Sequence, residues 1–438
     1  MFELNGIGRE RLIATNSMIL HEAYFEALGG SGQPDGGVAE ALERDFGSVD
    51  RWRAAFSAMG KALAGGSCAL NPREFLVAMA IGMLSPGPVV ITATFVGYLV
   101  AGFWGSVAAT VGRASLVLAC LVIPVKADEV QMAPLTLERT IALPHVSGRI
   151  DHMAVDLRRG RLFVAELGNN TVDVVDLAAG HAIHRIEGLK EPQGIAYSPG
   201  PDVVAVANAG DGSVRFYTGQ DYEEVARTDL GEDADNVRLD PLSGNFLVGY
   251  GSGGLATLNG NSGAVIGKAK LPAHPEGFRV DAHGHRALVN VPDAGQIAVV
   301  DLASGKQTAS WRVPGLRANF PMAWDEANRI IAVVFRSPAR LVLLDSDTGA
   351  VRETRETCGD ADDVFFDNRR HRIYVSCGSG SVDVFGADNG TYRLLSRIPT
   401  SSGARTSLFV PELDRLFVAQ RAGLWGAEAA LLVLRPAP

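Results

Sequence analysis

The sequence predicts a mainly β protein, a seven-bladed β-propeller preceded by a short α-helical segment and a transmembrane helical stretch. Three observations carry that prediction. Matching strand starts recur at Arg161, Asp202, Asn245, Arg286, Arg329, Arg372 and Arg415, a step of 41 or 43 residues each time. Within each unit, short runs of alternating apolar residues are separated by Gly, Asn or Asp turns, and a period of about 40 residues built this way belongs to propellers. Upstream, the 38 residues from Phe75 to Gly112 carry no charge, more than the roughly 20 needed to span a bilayer.

Blade 1 splits into four strands: IDHMAVD, RLFVAEL, TVDVVDL and HAIHRIEGL. The last unit lacks its fourth strand, RLFVAQRAG and EAALLVLRP being its second and third. LTLERTIALPH, residues 135 to 145, reads as an unpaired outer strand of the same type. It is expected to complete the last blade and close the ring non-covalently, leaving only short, protected edges. The propeller is therefore placed at residues 129–438. Its recurring RLFVA, RALVN and RIYVS strands, the xGSV or xNTV turns and the DLASG or DLAAG that follow resemble the YVTN-repeat propellers of the YncE-like family, which are exported bacterial proteins. Such a resemblance speaks to architecture, because propellers host many unrelated sites.

The front end falls into three pieces. In residues 1–67, NSMILHEAYFEALGG and DFGSVDRWRAAFSAMGKALAGGS resemble a truncated part of the iron/manganese superoxide dismutase family. By that resemblance His21 takes the position of one metal-binding histidine, ahead of Tyr24 and Phe25. The family holds its ion with three histidines and one aspartate, and the segments bearing the other ligands are absent from the match. Redox cycling needs a nearly complete coordination shell. Iron or manganese is therefore expected only if another chain completes the set. Glu22 and Glu26, four apart on one helix face, are read as solvated.

Residues 68–112 contain PGPVVITATF at 86 to 95 and resemble a fragment of the chromate transporter family. Pro86 and Pro88 divide the apolar run, so the cleaner span is Val89 to Val111. Transport needs a bundle of helices around a pathway; one or two helices are expected to serve as an anchor. In residues 113–128, Arg113, the apolar ASLVLACLVIPV and the polar KADE form an internal signal-peptide-like segment, with cleavage expected near Ala127. Cys120 is read as an apolar-helix residue in preference to an acylation site. The whole reads as a gene fusion, with the propeller in the periplasm, either held at a bacterial inner membrane or released.

Net charge of −9 and a pI near 5.5 leave no basic stripe for nucleic acid. Four cysteines exclude a disulfide-built scaffold. Cys358 precedes the first strand of blade 6 and Cys377 ends its second, so antiparallel pairing brings both to one rim. There they are either a disulfide or two buried thiols.

Aligning the blades puts Asp151, Gln193, Asp235, Glu276, Phe320, Asp362 and Arg405 at one position, the start of each innermost strand and hence the mouth of the central channel. With Arg149, His152, Asn236, His274, Asp363 and Thr406 they make a mostly acidic funnel, either a site for a small molecule, cation or protein partner or a wet channel mouth. Asp156, Asp240, Asp281, Asp325 and Asp367 recur after the first strand and are read as turn-fixing acceptors. His283, His285 and His371 lie in that outer turn without further ligand types nearby. The Gly-rich turns join strands, so they do not imply a nucleotide loop.

The expected function is a non-catalytic exported binding or scaffold module. Its alternatives are a metal-dependent superoxide dismutase drawing ligands from outside the chain and a lactonase-like hydrolase using a metal in the funnel.

Overall fold

The computed structural model describes residues 133–438 except 282, 389 and 424–427. These residues belong to Glu129–Pro438, the second of two units into which the chain divides. His21, the dismutase-like and transporter-like segments and the region near Ala127 lie outside the described residues. Among the described residues no helix is long and apolar enough to cross a membrane.

Seven four-stranded antiparallel sheets make up the described fold. Blades 1 to 6 are each built from four consecutive strands, as in blade 1 with Met153–Asp156, Arg161–Glu166, Thr171–Asp176 and His181–Ile186. Blade 7 takes Ser407–Val410, Arg415–Gln420 and Ala429–Pro436 from one end of the propeller and Leu135–Leu143 from the other. The closing strand pairs with Ala429–Pro436 from Leu135 opposite Pro436 to Leu143 opposite Ala429. The expected closure is therefore present, and it ends two residues earlier than the sequence pattern placed it, at Leu143.

The alternation of the strands dictates where the core sits. Both faces of a blade meet a neighbour, so the second and third strands are mostly apolar and buried; Arg161–Glu166 and Val203–Asn208 are almost wholly buried. The outermost strands read exposed and half-buried in turn, as in Glu224–Asp229, because only one side touches protein. Seven separate apolar layers result, one between each pair of adjacent blades. The layer between blades 7 and 1 includes Ile141 and Leu143 of the closing strand against Val164 and Val175.

The recurring aspartates act at the turns. Asp156 Oδ1 accepts the backbone N–H of Arg158 at 2.9 Å, Asp240 that of Leu242 at 3.0 Å and Asp281 that of Gly284 at 2.7 Å. Two of these turns also staple blades together. Arg159 bonds Asp156 of blade 1 and Asp202 of blade 2, both at 2.8 Å, and Arg370 bonds Asp367 of blade 6 at 3.0 Å and Asp414 of blade 7 at 2.7 Å.

Candidate functional site at the channel mouth

The innermost strands begin at one rim, and the residues there fall into three connected groups. In the first, Arg149 reaches Asp151 at 2.6 Å and donates to Gln193 Oε1 at 3.2 Å, joining blades 1 and 2. His152 stands between Asp151 at 3.8 Å and Asp363 at 3.9 Å. Burial pushes the carboxyl of Asp151 above its ordinary value, and burial likewise lifts Asp363 to about 6 despite His152.

In the second group, His274 lies 3.6 Å from both Asp233 and Asp235, and its Nδ1 bonds the Gly251 carbonyl at 2.7 Å. Burial works against a charged His274, but Asp235, that carbonyl and Asp233 outweigh it and hold the imidazole at about 9. Burial next to Asp235 and Asp362 pushes Glu276 up to about 8. Asp235 moves the other way: burial raises it, and His274, His152 and Arg149 together hold it below the ordinary carboxylate range. The three side chains Asp235, His274 and Glu276 bring one ligand atom each within 4.8 Å of the others.

The third group spans blades 5 to 7. Arg405 pairs with Asp362 at 2.8 Å and Asp360 at 3.0 Å; Arg336 pairs with both and lies over the Phe320 ring, 3.6 Å from its centroid. Arg421 faces this group as well, its charge opposed first by burial and then by Arg405 and Arg149.

Carboxylates still outnumber the cations in the funnel, but it holds more than the two arginines that the inner-strand alignment implies. Arg336 and Arg421 enter from other segments, and each group mixes carboxylates with basic side chains. Arg336 comes from the end of a second strand, Ile330–Ser337, a place that an alignment of first strands does not reach.

A small cleft lies among these residues. His152, Asn236, Arg238, Glu276, Phe320, Asp362 and their neighbours enclose about 10 Å³, the room of about one water. Arg238 lines this cleft, and Arg279 lies within reach of its charge. Arg238 donates to Val237 O at 2.8 Å and Asn236 Oδ1 at 2.9 Å, and Arg279 to Phe278 O at 3.0 Å. Burial lowers both guanidinium groups, Arg279 to about 9 with Arg238 adding repulsion. Sequence reasoning missed them, although a signal existed: two residues before the turn aspartate, where other blades carry Ala154, Ala323 and Phe365, these blades carry arginine.

On the rim of blade 6, Cys358 and Cys377 are joined by a disulfide with Cα atoms 5.9 Å apart, both cysteines being buried. His283, His285 and His371 lie in turns after first strands, away from these groups, and form no cluster of metal-ligand type among the described residues.

Comparison with known proteins finds relatives of front-end stretches by sequence and of the propeller by fold. Residues 54–132 match the chromate transporter family. A 67-residue stretch is 67% identical to the iron superoxide dismutase of Cupriavidus metallidurans, covering 15% of this chain and 34% of that protein. The probable chromate transport protein of Synechococcus elongatus is 55% identical over 42 residues, 10% of this chain and 11% of that protein, and the chromate transport protein of C. metallidurans is 51% identical over 51 residues, 12% of each. The chain thus spans about a third of the dismutase and about a tenth of the transport proteins it matches. Among solved structures, the RRP9 WD40 repeats superpose with a TM-score of 0.59 at 12% identity, covering 69% of this chain and 98% of that one. A chain of the mitotic checkpoint complex gives 0.59 at 14%, covering 69% and 92%. Likeness at this identity shows a shared fold.

Proposed function

We propose that the chain is an exported, non-catalytic binding module whose propeller receives a small molecule or protein partner at the channel mouth. The observation that carries this reading is the convergence of Arg149, Asp151, Asp235, Glu276, Asp362 and Arg405 from five blades at one rim. A ligand seated on such a rim meets charges of both signs, which select a partner carrying both. The YncE-like strand and turn pattern supports an exported protein, and the buried Cys358–Cys377 bond suits an oxidising compartment. The transporter-like residues then serve as a membrane anchor for a periplasmic propeller, or cleavage near Ala127 releases it.

Two other readings need a metal. A lactonase-like hydrolase is favoured over the dismutase by the grouping of Asp235, His274 and Glu276. The dismutase reading, with iron or manganese at His21, requires ligands from a second chain.

The test is fractionation of cells making a C-terminally tagged chain, with protease added to spheroplasts and a photo-crosslinker at Gln193. A propeller accessible to protease or free in the periplasm, with a crosslinked product lost on joint Asp362→Lys and Arg405→Glu substitution, is the expected result. A protected cytoplasmic band, or crosslinking indifferent to those charges, overturns the reading.

A further inference from the structure

The geometry points to a mononuclear site for a first-row divalent metal ion, zinc or manganese, held between blades 3 and 4 by Asp235, His274 and Glu276. The site needs no partner bound at the mouth.

Three features single these residues out from the rest of the rim. The first is orientation: the Gly251 carbonyl takes the Nδ1–H of His274 at 2.7 Å, which turns Nε2 toward Asp235 at 3.6 Å, where a metal ion would replace its proton. A ligating histidine is held this way, its other nitrogen donating to a backbone carbonyl and fixing the ring and tautomer. Asp235 provides the second. Its side chain is 9% exposed and its nearest charged partner is His274 at 3.6 Å, so a buried anion faces the imidazole without an arginine clamp. By contrast, Asp362 and Asp173 are each clamped by arginine at 2.8 and 2.6 Å.

Spacing is the third. Ligands about 2.1 Å from a tetrahedral ion stand roughly 3.4 Å apart. The His274–Asp235 separation of 3.6 Å already meets this, and Glu276, within 4.8 Å, closes by roughly an ångström through side-chain rotation. One imidazole and two carboxylates suit zinc or manganese; calcium requires six to eight oxygens, which three side chains do not supply. Three protein ligands leave a coordination position open toward the mouth.

Arg149 opposes the ion. It sits in the field of Asp151, Asp362, Asp235 and Glu276, and its positive charge competes for the same carboxylates.

Equilibrium dialysis of the full chain in detergent against zinc, manganese and calcium chlorides, with cobalt absorption as a geometric readout, tests the site. Relative to the parent, His274→Ala and Glu276→Gln should each remove one bound zinc equivalent or weaken it about 10- to 100-fold. Comparison with the parent cancels any metal held at His21. Arg149→Gln should tighten zinc several-fold, and Asp202→Asn on the opposite turns should change nothing. Glu276→Gln, an isosteric change, keeps the test readable if His274→Ala fails to fold. A parent chain that binds no zinc or manganese, or variants that keep the parent's stoichiometry and affinity, overturns the proposal. Because dialysis reads the isolated chain, its failure leaves the partner-docking reading standing, and a failed crosslink leaves the metal site standing.

Discussion

Arg370 illustrates how much single residues carry in this ring. Its side chain is 8% exposed and spans Asp367, 2% exposed, and Asp414, while its Nε donates to Ala437 O at 2.8 Å. Removing one partner of a buried pair leaves an uncompensated charge, so Arg370→Ala should cost about 3 kcal/mol, and Arg370→Lys less, as checked by urea unfolding. Glu166 gives a different signature. Burial raises it from 4.5 to about 8, so the folded state keeps a proton that the unfolded chain has lost. Its contribution is full below about 4.5 and disappears as pH rises through about 8, because there the unfolded chain binds fewer protons. Glu166→Gln should flatten that slope and raise the melting temperature at pH 8 relative to the parent; parallel pH profiles for the two proteins would refute it. The turn aspartates were legible in sequence because they recur in register. Arg336 and Arg421 were not, since a guanidinium reaches the mouth from segments that no first-strand alignment compares.

Strands and their connections were more readable than the site, for a physical reason. Each strand packs on two neighbours in nearly the same way seven times, so the apolar pattern repeats, whereas the mouth is where repeats are free to differ. The closing strand is the clearest case. Leu135, Ile141 and Leu143 are at most 2% exposed, and Ile141→Ala should cost about 2 to 5 kcal/mol as a cavity between blades 7 and 1. Removing residues 135–143 should expose Ala429–Pro436 as a raw edge, and limited proteolysis should then begin in blade 7. Blade 6 has a covalent brace instead. With the cysteines 19 positions apart in sequence, joint Cys358→Ala and Cys377→Ala substitution should lower stability by about 3 kcal/mol on the loop-closure account; an unchanged urea midpoint would refute it.

At the scale of the molecule, apolar layers lie between blades, not within them, so no blade has a core of its own. The described propeller should consequently unfold in one transition by fluorescence and circular dichroism alike, unlike an open repeat array whose ends fray independently. The front end was legible only as borrowed patterns, because fragments spanning about a third or a tenth of a relative carry its sequence without its surroundings.

The pairing of Leu135–Leu143 with Ala429–Pro436 also sets a clock. The earliest strand made waits for the latest, about 300 residues on, a wait of roughly 15 to 60 s at ordinary rates of synthesis. Ribosomes stalled before residue 429 should therefore display a propeller that protease still cuts throughout. A chain that stays open until its final strand arrives is threadable for the whole of its synthesis, which is the condition that passage through a narrow protein-conducting pore demands.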